Sequence, residues 1–140
     1  MKILEIPFHQ HLQLRKCDHP SFIFEMDPFP ETLNHLQTVH ACAQLTLAEA
    51  SSGEFLRENL SDLQENLIPV IRKTEAKYLK PATRTLRAKA SFASNTLSEI
   101  RNTLLENKRM IVPVKVEIED VEGTRTLTVT FDWFITYQTL

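Results

Sequence analysis

The chain has 140 residues, the usual length of one domain, and we expect a single domain spanning residues 1–140. Its 16 basic and 18 acidic residues are interspersed and give a net charge of −2, which argues against binding to nucleic acid or to an anionic membrane. Two cysteines without a metal-like spacing exclude a disulfide framework, and no long apolar core typical of a signal peptide opens the sequence. We therefore expect a cytoplasmic protein with no metal and no cofactor.

The first clear element is a strand at residues 21–26, and a loop at 33–39 leads from it into a helix at residues 39–50. The helix is predicted because this stretch has no Gly or Pro and is rich in Ala, Leu and Gln. Thr38 is the expected N-cap, and Gly53 fits the position just past the C-terminus. The helix is apolar nearly all round, which indicates that other structure encloses it.

The remaining sequence predicts a second, more exposed helical piece at residues 54–66, followed mostly by sheet. Apolar and polar residues alternate with a period of two in several stretches, and one further stretch has helical spacing. These elements are strands at 67–79, 86–92, 112–118 and 127–133, and a helix at 97–107. One apolar helix against one antiparallel sheet is an α+β architecture.

Glu49 is the unusual residue of the apolar helix, because an ionised carboxylate is costly to bury without a partner. Glu49 belongs either to a reaction centre or to a helix surface in an oligomer groove, where a Lys satisfies it. His40 either lines a site or caps the helix, and Asn34 is either a ligand or a turn residue. His9 and the neighbouring histidines are expected on a surface segment.

Asn34, His40 six residues later and Glu49 nine residues beyond it form a pattern, with Glu49 inside a Leu-Ala-Glu sequence. This pattern, the order of elements and the segment 76–82 resemble the hotdog-fold acyl-CoA thioesterases, in the branch that includes phenylacetate-pathway and enterobactin-pathway enzymes. The resemblance covers residues 22–136. It implies the hotdog fold, in which a long antiparallel sheet wraps round one central helix.

The resemblance also implies a thioesterase acting on acyl-CoA or an acyl-carrier thioester, with coenzyme A present only as part of the substrate. Glu49 would be the general base or the nucleophile, while His40 and Asn34 would donate to or position the thioester. The backbone amides of Ala41 and Cys42, at the positive end of the helix, would form the oxyanion hole. An apolar groove beside the helix would hold the acyl chain.

The phosphates of coenzyme A are expected to meet Lys80, Arg84 and Arg87. The chain departs from the family pattern at several points. Relatives carry Gly-Gly directly after the His, where this chain has Ala and Cys, and a Gly where this chain has Gln37. The predicted helix at 97–107 also interrupts the usual direct connection between strands.

His40 and Glu49 point to opposite sides of one helix, because nine residues amount to about 900° of rotation and ~13 Å of rise. Two such helices packed antiparallel across a two-fold axis bring His40 of one near Glu49 of the other. If these groups cooperate, the active unit is therefore a homodimer. The resemblance implies the same, as a dimer or a dimer of dimers with sites at the interface.

Two alternatives to a thioesterase stay open. One is a non-catalytic dimer that binds acyl-CoA or an acyl carrier, with chemistry lost through the Ala41-Cys42 replacement. The other is a hotdog dehydratase, which also uses a His with an acid and which the position of Glu49 disfavours.

Overall fold

The computed structural model describes residues 2–139, which form one antiparallel sheet with a long helix packed against one face. The strands are β1 Arg15–Lys16, β2 Phe24–Met26, β3 Leu67–Tyr78, β4 Leu86–Phe92, β5 Arg109–Asp120 and β6 Arg125–Tyr137. They lie in the order β1-β2-β4-β5-β6-β3. The helices are α1 Pro7–His11, α2 Ala41–Asn59 and α3 Leu97–Asn107, and 3₁₀ turns lie at Ile3–Glu5, Pro30–Thr32 and Gln64–Asn66. The α+β architecture agrees with the expectation.

The central helix α2 is longer than the sequence predicts. It runs through Gly53 to Asn59, so the predicted end after residue 50 is wrong, and the predicted second helical piece at 54–66 begins as the same helix. A glycine inside a helix costs only about 1 kcal/mol. Leu56, which follows Gly53 by three residues, is buried, and its burial stabilises the continued helix by a comparable or larger amount.

The start of α2 also differs from the expectation, since the N-cap is His40 and not Thr38. The His40 Nδ1 atom accepts a hydrogen bond of 3.0 Å from the Cys42 backbone amide. Thr38 instead bonds with the side chain of Asn34. A capping residue must accept from the first turn of the helix, and a neutral imidazole nitrogen does this as a Ser or Thr oxygen does.

The core lies between α2 and the inner face of the sheet. Alternate residues of the three central strands point to the helix and are fully or almost fully buried: Leu86 and Ala88 on β4, Val112, Val114, Val116 and Ile118 on β5, and Leu127, Val129, Phe131 and Ile135 on β6. This is the period-two pattern that predicted the strands. Each buried Val, Leu, Ile or Phe among them stabilises the fold by about 1.5–3 kcal/mol.

Two buried hydrogen bonds fix α2 against β6. The Trp133 Nε1–H donates to Ser52 Oγ over 3.0 Å, and the Thr126 hydroxyl donates to Gln44 Oε1 over 2.8 Å. Because these bonds are eight residues apart along the helix, they set both its rotation and its position along the strand. The residues of the site on α2 are therefore held in fixed orientations.

Strand β3 forms one edge of the sheet and pairs only with β6 among residues 2–139. It is 12 residues long, and Ile68, Val70 and Tyr78 expose almost half of their surface. A long edge strand with exposed apolar side chains is the kind of surface that pairs with another chain. No helix in residues 2–139 combines the length and the apolar character needed to cross a membrane.

Candidate functional site

Glu49 lies on the flank of α2 that faces β3, and 36% of its side chain is exposed. Partial burial raises the pKa of the Glu49 carboxyl above its ordinary value, and the nearby His9 ring opposes that rise. A carboxyl with a raised pKa accepts a proton more readily than an ordinary one. Glu49 is therefore suited to act as a base near neutral pH.

His9 is the partner of Glu49, and the sequence did not indicate it. It belongs to the short helix α1 and is 5% exposed, so the expectation of a surface segment is wrong for this residue. Its Nε2 atom lies 3.5 Å from Glu49 Oε2, and its Nδ1 atom lies 2.8 Å from the Ile3 carbonyl oxygen. Pro7 at the first position of a helix, and the spacing of three residues that His9 shares with Ile3, Ile6 and Leu12, are the local signals for this packing.

A cavity of about 390 Å³ opens beside Glu49 and His9. It follows α2 from Glu49 past Gly53 to Leu60, and apolar side chains of the N-terminal segment, β3 and β6 form its other walls: Ile3, Ile6, Leu67, Pro69, Trp133 and Ile135. Gly53 has no Cβ to narrow it. An apolar cavity that begins at a carboxylate is suited to an acyl chain whose carbonyl lies at the Glu49 end.

The Asn34 side chain closes the loop that precedes α2. Its Oδ1 atom accepts from the backbone amides of Leu36 and Thr38 at 2.9 and 3.1 Å, and its Nδ2 donates to the Thr38 hydroxyl at 2.9 Å. Gln37 in this loop has φ of 61°, the left-handed conformation that favours glycine. These bonds show the turn role for Asn34, and its role as a ligand stays a prediction.

At the N-terminus of α2 the two expected oxyanion amides differ. The Cys42 amide already donates to His40, whereas the Ala41 amide has no acceptor within residues 2–139. The Tyr78 hydroxyl donates to the Ala41 carbonyl oxygen over 2.9 Å, and burial raises the pKa of Tyr78, which keeps the hydroxyl protonated. Ala41 is thus the free donor at the positive end of the helix.

The three basic residues expected to bind coenzyme A lie in different places. Lys80 lines a recess of about 320 Å³ together with Asn34 and Ala41. Arg84 is half exposed and contacts the carboxylates of Glu122 and Asp120 at 3.4 and 4.0 Å.

Arg87 points away from α2, to the outer face of the sheet. There it stacks over the Phe22 ring at 4.2 Å and lies 3.9 Å from Glu119. Arg87 therefore lies on the face of the sheet opposite α2, and its contact with a phosphate of coenzyme A stays a prediction.

Within one protomer the two halves of the expected site stay apart. Ala41 and Glu49 are eight residues apart on α2, which places them about 12 Å from each other along the helix axis. Glu49 borders a concave surface between α2 and β3 that is only partly covered. We call it the open face and define it by Leu45, Thr46 and Glu49 of α2 and Ile71 and Thr74 of β3.

Comparison with known proteins identifies a family and a fold. Residues 13–135 match the family described as Domain of unknown function (DUF4442). No curated protein matches the sequence significantly. A Pseudomonas aeruginosa protein described as a probable thioesterase superposes with a TM-score of 0.81 at 18% identity, over 97% of this chain and 91% of that one.

Two further structures are similar. A Bacillus halodurans protein solved with CoA has a TM-score of 0.68 at 21% identity, over 89% of this chain and 72% of that one. A Staphylococcus aureus thioesterase, solved as a Glu-to-Ala and a Gln-to-Ala variant, has a TM-score of 0.71 at 13 and 14% identity, over 94 and 92% of this chain and 99 and 98% of that one. At these identities the similarity shows the fold, and the hotdog fold implied by the sequence resemblance is confirmed.

Proposed function

Because this chain belongs to the DUF4442 family and has the hotdog fold, we propose from its site that it hydrolyses acyl thioesters, with Glu49 as the base. The observation that carries the proposal is a half-buried carboxylate with a raised pKa at the mouth of an apolar cavity. That combination suits the activation of water beside an apolar acyl group.

The similar structures support this reaction class. Several are described as thioesterases, and the Bacillus halodurans protein was solved with CoA. In the Staphylococcus aureus thioesterase the Glu and the Gln that were replaced by Ala lie fifteen residues apart. Asn34 and Glu49 have the same separation here, with an amide side chain first and the carboxylate second.

The proposed active unit is a homodimer formed through the edge of β3 and the open face. The exposed edge strand can continue the sheet into a second copy, and a second copy of α2 can cover the partly exposed apolar and hydroxyl side chains of the open face. This arrangement gives Glu49 of one protomer access to the partner's Ala41 amide. Within a single chain, Glu49 and the Ala41 amide lie about 12 Å apart along the helix.

In the proposed reaction the acyl chain occupies the apolar cavity, and the thioester carbonyl lies between Glu49 and the partner's Ala41 amide. Glu49 takes a proton from water as the water oxygen attacks the carbonyl carbon. The Ala41 N–H and the partial positive charge of the α2 N-terminus stabilise the oxyanion. The pantetheine passes the recess beside Lys80, where the Lys80 ammonium can meet phosphate.

The test is a panel of acyl-CoA thioesters with a reagent that traps the released thiol. Glu49→Gln keeps the shape and removes the base, so we expect turnover to fall about 10²- to 10⁴-fold. Glu58→Gln, an exposed acid on the same helix, is the matched control and keeps full activity. Wild-type turnover in Glu49→Gln would contradict the proposal, and size-exclusion chromatography must show the same oligomer for all three proteins.

The non-catalytic binding dimer is the second candidate, and one observation favours it. The Cys42 amide is already bonded to His40, so a single free amide is left where the resemblance implied two. Saturable binding of acyl-CoA with no thiol release by the wild type would support this candidate. Hydration of a crotonyl thioester would support the dehydratase instead.

A further inference from the structure

The contact between His9 and Glu49 goes beyond the pattern that suggested the site, because no residue before Asn34 belongs to that pattern. His9 reaches Glu49 from α1, a different segment of the chain, and both residues line the same apolar cavity. A buried imidazole facing a carboxylate limits which of their nitrogen and oxygen atoms can carry a proton.

The hydrogen bonds of His9 determine its tautomer. The Ile3 carbonyl oxygen can only accept, so the His9 Nδ1 atom 2.8 Å away carries a proton. In a neutral ring the Nε2 atom then has a lone pair, and it faces the Glu49 Oε2 atom at 3.5 Å. Two lone pairs repel each other, so a proton between Nε2 and Oε2 converts this contact into an attractive one.

We propose that His9 is the positioning residue and proton partner of Glu49, holding Oε2 through a shared proton so that Oε1 is left to receive the proton of the attacking water. This inference rests on the proposed hydrolysis and names a second residue for the same site. His9 acts through Glu49 and does not need to touch the substrate. The N-terminal segment is therefore part of the site and not a surface addition.

Every proton in the proposed reaction is accounted for. The water oxygen forms a bond to the thioester carbon, and one water proton moves to Glu49 Oε1. When the carbon–sulfur bond breaks, its electron pair leaves on sulfur, and the proton held by Glu49 and His9 moves to that thiolate. The products are the carboxylic acid and the free thiol, and the pair returns to its starting protonation.

Few other charges face this pair. Arg57 on α2 lines the same cavity, but it forms a bidentate ion pair with Glu54. In the N-terminal segment the exposed Glu5 bonds to the Lys2 backbone amide, and the exposed His11 lies on α1. The walls contributed by β3 and β6 are uncharged at this end. Burial thus raises the pKa of the Glu49 carboxyl, and His9 lowers it.

Two substitutions test the two ring nitrogens of His9 one at a time. An Asn side chain places its amide nitrogen near the Nδ1 position, so His9→Asn keeps the bond to Ile3 and loses the contact with Glu49. A Gln side chain reaches the Nε2 position, so His9→Gln keeps a neutral donor toward Glu49. His11→Asn on the same helix is the control, because His11 is exposed.

The measurement follows the titration of the Glu49 side-chain carboxyl carbon by NMR, together with the pH profile of kcat. An opposite charge nearby lowers a carboxyl pKa by about 1–3 units, so in His9→Asn we expect the Glu49 midpoint and the acidic limb of kcat to move up by about 1 pH unit or more. His9→Gln is expected to fall between His9→Asn and the wild type, and His11→Asn to match the wild type.

An unchanged Glu49 midpoint in a folded His9→Asn protein would overturn the inference. The carboxyl titration does not need turnover, so the two proposals can fail separately. A shifted midpoint without hydrolysis of any acyl thioester upholds the pair and contradicts the proposed function alone. Intact hydrolysis with an unshifted midpoint contradicts the pair alone.

Discussion

Replacing Gly53 with alanine is expected to stabilise the fold and shorten the acyl chain that the cavity accepts. A Cβ at this position meets Ile3 Cδ1 at 3.5 Å and Trp133 Cζ2 at 3.8 Å, which are ordinary contact distances. The new methyl group therefore fits without a shift of its neighbours. Because all three residues line the cavity, the methyl group occupies space that an acyl chain would otherwise fill.

We expect Gly53→Ala to raise the stability of the fold and to lower kcat/KM for long acyl chains. Alanine is better than glycine in a helix interior by about 1 kcal/mol, which raises Tm by about 2–4 °C for a domain of this size. Each methylene displaced from the cavity costs about 0.8 kcal/mol, or roughly a fourfold loss in kcat/KM for chains long enough to reach Gly53. Shorter acyl groups are expected to keep their kcat/KM.

The assay compares kcat/KM across a series of acyl-CoA chain lengths and records thermal unfolding of the same proteins. Gly123→Ala is the matched control: Gly123 has φ of 86° in the β5–β6 turn, so alanine there is strained by about 1 kcal/mol and lowers Tm without changing chain-length preference. An unchanged preference in Gly53→Ala would refute the assignment of this cavity to the acyl chain.

Three further changes test other parts of the structure. Gln37→Gly removes the backbone strain of a non-glycine residue in the left-handed conformation, so urea unfolding should show a free energy of unfolding higher by about 0.5–1 kcal/mol. A lower free energy of unfolding would contradict the role given to the Asn34 loop. Thr126→Val leaves Gln44 Oε1 buried without its donor, and we expect a loss of about 1–3 kcal/mol in the same assay, whereas the exposed Thr139 can be changed to Val without effect. The folded state raises the pKa of Glu49, so it binds that proton more tightly than the unfolded chain, and the carboxylate destabilises the fold as pH rises through the raised pKa. Unfolding measured against pH should therefore show Glu49→Gln gaining stability over the wild type above that pKa and matching it in acid; a gain that is constant at all pH values would contradict this origin.

Strands β4, β5 and β6 were predictable because each has one buried face and one more exposed face. The alternation in Leu86–Phe92 and Arg109–Asp120 is a direct record of that geometry. The helix at Leu97–Asn107 was also predictable, since Ile100 and Leu104 are its buried residues at helical spacing. The end of α2 was not, because packing of the residues beyond Gly53 outweighs the preference of a glycine for a helix terminus.

The site was predictable only where its groups are close in sequence. Glu49 stands out locally, as a carboxylate in an apolar helix. His9 does not, because its partner is forty residues away and only the folded chain brings α1 onto α2. The face of the sheet that Arg87 occupies was predictable, because Arg87 alternates with the buried Leu86 and Ala88 and therefore points away from α2.

The most direct test of the central claim is to mix two variants that are each inactive alone. Glu49→Gln lacks the base, and Ala41→Pro lacks the free amide; proline is tolerated at the first helical position, and His40 before it has φ of −58° and ψ of 137°, which suits a residue preceding proline. If each active site combines Glu49 of one protomer with Ala41 of the other, random exchange of equal amounts restores about a quarter of wild-type turnover. No recovery of thiol release after complete subunit exchange would contradict a site shared between two chains.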